Sequence, residues 1–380
     1  MIMKPMNHSV SLQSLNWLPH NRKRLEALIA EKSFAGNYAV FDWDFTCIFY
    51  DVQDNLFMYQ LENIYFKMTP PEFSKMLRVD IGQDVPLSNT ANCAGRALTA
   101  GELSADLDDL YEFLYAEYAG LGGTKSLEAV TATDEYRTFK AKMIVLMLGA
   151  ARTFSIDLCQ QVSTGMSIAE LEALTEKAID KSLTDEIRIY EMLSAETLPG
   201  KAGQVSSRWR KGIRMQPEMQ NLINTLNANG IETYVCSASQ ETPVRVFATS
   251  KKYCYNIPSA NVFGRRRLLT EAGILTAEND NSIPPTLRDG KAEAIKRLIM
   301  PKHNDKPPIL VAGDSDGDFF MMDAFKDNAV LLVFDRQFDS STKIFDVVQK
   351  GLTERNTQNA SVLVQRRNPA TGACITGITE

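Results

Sequence analysis

Histidine is scarce. His8, His20 and His303 are the only three in 380 residues, and they share no motif. A histidine-rich metal centre or a Ser-His-Asp triad is therefore poorly supported. The six cysteines are scattered and no two form C-x-x-C. That spacing argues against a zinc ribbon or thioredoxin-type centre and fits free thiols. No apolar run approaches the ~18 residues of a membrane span. The first twenty residues lack the apolar stretch of a secretory signal, so the expected location is cytoplasmic, or exported with a leader already removed. A basic excess is missing too. Net charge is −6 with 23% charged residues, which points away from nucleic acid and anionic membrane as partners. The single dense basic run, Arg265-Arg266-Arg267, is expected as a solvated face, with a phosphate-lined mouth as the alternative. There is no internal repeat and no low-complexity tract. Nothing fixes an oligomeric state. What remains is a chain with 44% apolar content, long enough for two domains.

The rest of the chain is organised around Tyr38 to Asp51, Y-A-V-F-D-W-D-F-T-C-I-F-Y-D. Four apolar residues, Tyr38 to Phe41, run into Asp42 and Asp44, with Thr46 close behind. This reads as a buried strand breaking at its carboxyl end, the edge where open α/β sheets bind ligands. Two carboxylates buried there need a cation, a proton or solvent.

The preceding residues, 1 to 20, look irregular, and Leu25, Leu28 and Ile29 mark a helix over 21–32. From Asp51 to about Lys211 the chain is rich in helix formers. Leu107, Leu110, Tyr111, Leu114, Tyr115 and Tyr118 form a stripe at helical spacing over 106–118. Another helix is expected over 134–150, ending near Gly149. Ser167 and Glu170 form a capping box opening 168–182. The loop 120–123 precedes Lys125-Ser126 but lacks the glycine and leading strand of a P-loop. At Pro217 an α/β rhythm returns. Helix 217–229 has Pro at its start and Gly230 past its end. Strand 231–236 stops at Ser237-Ala238-Ser239. Short strands follow at 262–266 and 273–277, the second as half of a hairpin. Helix 290–300 is led by Lys291, and strand 309–313 ends in G-D-S-D-G-D, with a helix from Asp318. The last strand is 329–334, and the tail after Gly351 is polar and weakly patterned. The expectation is a parallel-sheet α/β core formed by 1–50 and 212–380. A mostly helical insert, 51–211, is placed to fold over the acidic edge as a cap.

Asp42, Asp44 and Thr46, then Ser237, Lys291, and Asp314 with Asp318 recur in order at strand ends and helix starts. Converging carboxylates make an oxygen-ligand site for a hard cation, most simply Mg²⁺. Lys291 adds fixed positive charge at a helix start, where backbone N–H groups also favour anions. Ser237 adds a hydroxyl donor. This mix suits a phosphoryl group. A phosphate monoester dianion repels a carboxylate until metal and lysine neutralise its oxygens. A second acid two residues on can protonate the leaving oxygen.

D-x-D-x-T, a strand-ending Ser, a helix-leading Lys and G-D-x-x-x-D, in this order, resemble the haloacid dehalogenase superfamily of phosphatases. The likeness covers the core, about half the chain. The position of the insert resembles the helical caps of the phosphoserine phosphatase branch. More loosely, the pattern is similar to the phosphorylcholine phosphatase group. The resemblance implies a three-layer, Rossmann-like fold and a Mg²⁺-dependent phosphomonoesterase working through a phosphoaspartate. By position it implies Asp42 as nucleophile and Asp44 as general acid and base, its carbonyl also a metal ligand. It implies Ser237 and Lys291 on the phosphoryl group, Thr46 and Ser239 beside it, and Asp314 and Asp318 on the metal. Asp316 is expected as a turn residue facing solvent, or else as an extra acid behind the metal ligands. Phe45 departs from the pattern, where Gly, Asn or Ser is usual. Its N–H can still serve the phosphate, and its ring either packs inward or walls the substrate pocket.

The expected substrate is a small phosphomonoester, phosphorylcholine-like or phosphoserine-like. A quaternary ammonium would need aromatic faces and an acid. Tyr111, Tyr115, Tyr118 and Trp209, with Asp54 and Glu62, are available, although the tyrosine stripe also reads as helix-packing core. A dehalogenase would not need Asp44 or the Asp314/Asp318 pair. A glycosyltransferase also uses D-x-D, but Lys291 and the second acidic strand end argue against it. A phospho-ligand binding protein without turnover rests on Phe45 alone.

Overall fold

The computed structural model describes residues 11–155 and 158–377. Residues 1–10, with His8 and half of the expected irregular start, lie outside the described residues. The chain forms two compact units. Unit one comprises Met1–Val52, Ile213–Arg266 and Asn281–Glu380; unit two comprises Gln53–Gly212 and Arg267–Asp280. Among the described residues no helix is long and apolar enough to cross a membrane.

Unit one is built on a six-stranded parallel sheet. Its strands are β1 (Tyr38–Phe41), β2 (Glu232–Gln240), β3 (Val262–Arg265), β4 (Leu310–Gly313), β5 (Val330–Asp335) and β6 (Val362–Arg366). Their order across the sheet is β6-β5-β4-β1-β2-β3. Val40 lies beside Val311 on one side and Tyr234 on the other, so β1 is central. All four β1 residues are buried, as a strand covered on both faces must be. Tyr38, Val40, Val311, Leu331 and Val364 pack with Ile295, Met321 and Ile344 from helices on one face. Ala39, Phe41, Leu310, Ala312 and Leu363 point the other way and are also buried. The result is the expected three-layer α/β arrangement.

Several elements run differently from the sequence reading. β2 continues through Ser237 to Gln240, because its last residues still pair with β3. The helix led by Lys291 is regular only over Asp289–Ala294, then widens over Ile295–Ile299. The helix expected from Asp318 begins at Asp316, with Ser315 and Asp318 closing a capping box. The weakly patterned tail holds β6, the sheet's edge strand. Its Val362, Leu363 and Val364 are buried, but three apolar residues in a polar stretch give little periodic signal. Arg265-Arg266-Arg267 is not a solvated face. Arg266 bonds Glu241 at 2.8 Å, and Arg267 is buried with its guanidinium on the Ala277 carbonyl at 3.0 Å.

Unit two is helical with antiparallel ribbons. The helices Ala100–Glu117, Asp134–Phe154 and Ile168–Thr184 contain the expected stripes. The Ser167/Glu170 capping box forms as expected, with reciprocal bonds of 3.2 and 2.9 Å. The second of these helices runs through Gly149, which brings its backbone against Leu87: a Cβ there would meet the Leu87 side chain at 2.8 Å. Ribbons pair Pro86–Ala91 with Ala97–Thr99 and Arg188–Leu193 with Ser206–Lys211. The hairpin of Arg267–Leu269 and Leu275–Asn279 also belongs here, because Leu275 joins the Met166, Leu171 and Leu174 cluster.

One buried ion pair anchors unit two. Lys142 donates to Asp106 at 2.7 Å, and Asp106 also accepts from the Lys201 and Ala202 N–H groups. Both side chains are almost wholly buried. Removing one partner strands the other's charge, which costs about 3–5 kcal/mol. Asp106→Ala is therefore expected to lower the unfolding free energy of unit two by that amount, read as a lower urea midpoint by circular dichroism.

Candidate active site

Asp42 follows β1 directly, and its N–H donates to the Ala312 carbonyl of β4 at 2.9 Å. The chain then winds tightly. The N–H groups of Thr46, Cys47 and Ile48 converge on the Trp43 carbonyl, at 3.3, 2.7 and 3.2 Å. Trp43 is fully buried against Phe247 and Tyr255. Anchoring that indole fixes Asp42 and Asp44 on either side of it. Asp314 follows β4, and Lys291 projects from the first turn of its helix.

These groups meet. The Lys291 Nζ lies 2.6 Å from Asp42 Oδ1 and 2.6 Å from Asp318 Oδ1. Thr46 Oγ1 is 3.2 Å from both Asp42 Oδ2 and Asp314 Oδ1. The Asp314 and Ser315 N–H groups donate to Asp318 Oδ2 at 3.0 and 3.2 Å. Asp44 accepts from Ser239 Oγ at 2.6 Å and from the Val52 N–H at 2.7 Å. Ser237 Oγ is buried and accepts from the Ser239 N–H at 3.2 Å. Asp42, Asp44, Phe45 and Thr46 thus lie in the turn that follows β1, Ser237 and Ser239 at the end of β2, Asp314 just past β4, and Lys291 and Asp318 in the first turns of helices.

Charge is unevenly balanced here. Burial pushes Asp42 well above the ordinary carboxylate range; the nearby Asp318 charge adds to this, and Lys291 offsets only part of it. Asp44 is also pushed well up by burial and by Asp51, against its bonds from Ser239 and Val52. Asp314 rises to about 6, chiefly through burial and Asp318. Burial works against the Lys291 charge, but Asp318 and Asp42 more than restore it, so the ammonium is held firmly. Ligand oxygens of Asp42, Asp314 and Asp318 all lie within 4.8 Å of one another. Three buried carboxylates, two of them on Lys291 and the third on Arg336, are a donor set that fits a hard divalent cation.

Three features were not read from the sequence. Arg336, just past β5, donates to Asp314 Oδ2 at 2.7 Å, and its guanidinium lies 3.7 Å from the centre of the Phe45 ring. Its place after a strand end was the available signal. Phe45 adopts φ of 58°, and its N–H is taken by the Tyr50 carbonyl at 3.0 Å rather than left for a phosphate. Its ring is half-buried beneath the Arg336 guanidinium rather than packed in the core. Asp316, expected in solvent, accepts from the Ile344 N–H at 2.8 Å and so ties its helix to the next. In unit two, Tyr111 is buried, stacked on Phe73 and bonded to the Met68 carbonyl. Trp209 is buried as well, and Glu62 accepts from Lys140 and Lys211.

Arg336 competes with any cation for Asp314. Arg336→Gln is expected to tighten Mg²⁺ binding on the order of tenfold, about 1.4 kcal/mol, in titration calorimetry. Weaker binding would mean that Arg336 instead holds Asp314 in place for the ion.

No family model matches the chain. Its fold is shared with the solved structure of a conserved protein of unknown function from Anaerococcus prevotii. The two are 29% identical with a TM-score of 0.88, over 97% of this chain and 99% of that one. In its fold, in the order of its motifs and in the side chains they bring together, the chain is similar to the phosphatases of the haloacid dehalogenase superfamily. Among curated proteins it is similar to phosphorylcholine phosphatase from Pseudomonas aeruginosa. The two are 26% identical over 331 residues, 81% of this chain and 76% of the relative.

Proposed function

We propose that the chain is a Mg²⁺-dependent phosphomonoesterase for a small phosphorylated metabolite, working through a phosphoaspartate on Asp42. The observation that carries this reading is the Lys291 ammonium, 2.6 Å from both Asp42 and Asp318, with Asp314 beside them. Asp42, Asp314 and the Asp44 carbonyl, with Asp318 adjacent, would hold the ion. When bound, it would supply positive charge to the phosphoryl oxygens and lower the repulsion between ester and carboxylate.

The chain's own groups supply the remaining chemistry. Asp42 attacks phosphorus, forming an Asp42–phosphorus bond as the ester P–O bond breaks. Asp44 gives its proton to the departing alcohol oxygen; its raised pKa supports a neutral carboxyl in the resting site. Water then attacks phosphorus, Asp44 takes its proton, phosphate leaves and Asp42 is regenerated. Ser237 and Lys291 hold phosphoryl oxygens throughout, with Thr46 beside them. Ser239 orients the Asp44 carboxyl.

Unit two leaves the chain directly after the catalytic turn, which supports assigning it the choice of alcohol. The Pseudomonas aeruginosa relative makes phosphorylcholine the first ester to try. The buried Tyr111 and Trp209 and the lysine-paired Glu62 do not support a choline cage built from those residues. The six free cysteines favour a reducing compartment.

The test is hydrolysis of p-nitrophenyl phosphate with and without Mg²⁺, followed by a phosphomonoester panel. Mg²⁺-dependent turnover, with Asp42 found phosphorylated by mass spectrometry after rapid quench, is the expected result. Tight ester binding with no turnover of any panel member would make the chain a phospho-ligand binder.

A further inference from the structure

The turn that carries Asp44 and Thr46 is held from behind by the segment following β6. Because three of its N–H groups converge on the Trp43 carbonyl, the carbonyls of residues 45 to 48 face outward like those at a helix C-terminus, and need donors. All four find one. Arg367 Nη1 donates to the Phe45 and Ile48 carbonyls, the latter at 3.2 Å, and Nη2 donates to the Thr46 carbonyl. Tyr255 Oη donates to the Cys47 carbonyl at 2.8 Å. The guanidinium is stacked 3.8 Å from the centre of the Phe334 ring, and Arg367 makes no salt bridge among the described residues. Its positive charge is spent on the negative end of this turn.

The arginine is itself braced. The Asn368 N–H donates to the Ala373 carbonyl at 2.8 Å, and Arg367 bridges Cys374, which closes a small loop. Gly372, at φ of 78°, lets that loop press on Phe49: a Cβ there would meet the ring at 2.6 Å. Phe45 sits in the left-handed region, a conformation that persists only where its surroundings over-determine it.

We infer that Arg367 is a positioning residue for hydrolysis, clamping the carbonyl side of the catalytic turn so that Asp44 and Thr46 stay aimed. The inference rests on the phosphatase reading above. A clamp on Asp44 matters most when the leaving group needs a proton. Aryl phosphates leave with little help, whereas alkyl phosphates require the acid.

The experiment compares full-length Arg367→Met and Arg367→Lys with the parent on p-nitrophenyl phosphate and on a simple alkyl phosphomonoester. Hydrogen exchange is followed in the peptide spanning residues 42–50. Arg367→Met is expected to lose on the order of 100-fold in kcat on the alkyl ester and roughly tenfold less on the aryl ester, with KM little changed. Exchange in the turn speeds up, and added guanidinium reverses both effects. Arg367→Lys, which keeps the charge but has no fork to span three carbonyls, shows most of the defect; it decides the question if the methionine variant does not fold. Unchanged exchange in the turn, or equal losses on both esters that guanidinium does not reverse, overturns the clamp. If the parent hydrolyses neither ester, the phosphatase reading fails, and the exchange result alone still decides whether Arg367 holds the turn.

Discussion

Asp42→Asn is expected to abolish phosphomonoester hydrolysis, by on the order of 10⁴-fold or more, without unfolding the protein. Asparagine keeps the shape and the contact with Thr46 but cannot form the acyl phosphate, and losing a nucleophile removes a step that no neighbour replaces. Stability should move the other way from activity. Asp42 is a buried acid whose ionisation is opposed by burial and by Asp318, so a neutral amide relieves crowding among three carboxylates. The variant should melt no lower than the parent without divalent ions, and should gain less from added Mg²⁺. Activity within tenfold of the parent would remove Asp42 from the nucleophile's place. As a control, Cys47→Ser should retain activity, because the buried thiol is held neutral by burial.

Lys291→Met is expected to cost both activity and stability. The ammonium is the shared partner of Asp42 and Asp318. Removing it leaves the Asp42, Asp314 and Asp318 carboxylates with Arg336 as the nearest cation bonded to any of them. Losing one partner of a buried ion pair costs about 3–5 kcal/mol. For a unit of this size that is a fall of about 6–20 °C in melting temperature without divalent ions. A bound cation stabilises in proportion to its affinity, so Mg²⁺ should recover more of the melting temperature in the variant than in the parent. Turnover should stay depressed by on the order of 10³-fold even in saturating Mg²⁺, because the phosphoryl group loses a fixed donor. Melting curves that coincide with the parent's would show that the lysine carries no charge balance here.

These two residues were readable because their signals are local. Asp42 and Asp44 end a buried strand, Lys291 opens a helix, and Asp314 and Asp318 end another strand and begin another helix; each position can be read from its own few neighbours. Arg336 and Arg367 have comparable contacts but were not recognised. An arginine's reach does not depend on the pattern around it, and what each one touches lies 22 and about 320 residues away along the chain. Phe45 was noticed as a departure, yet neither expected placement of its ring described the guanidinium stacked upon it.

The insert divides along the same line. Its helices follow from apolar spacing and capping boxes such as Ser167 with Glu170. Its ribbons, and the transfer of Arg267–Asp280 into the second unit, depend on strand partners far away in sequence. β6 is the same case: three buried apolar residues become a strand only because β5 offers them a ladder.

The sequence by itself determined the α/β class, the central strand and the acids, lysine and serine of the site. Periodicity and strand-end chemistry act over a few residues and survive in one dimension. Only the tertiary structure decided which cations stand against which carboxylates and what supports the turn beneath them. Such pairings are set by distance in space, where charge and hydrogen bonds act without regard to position along the chain.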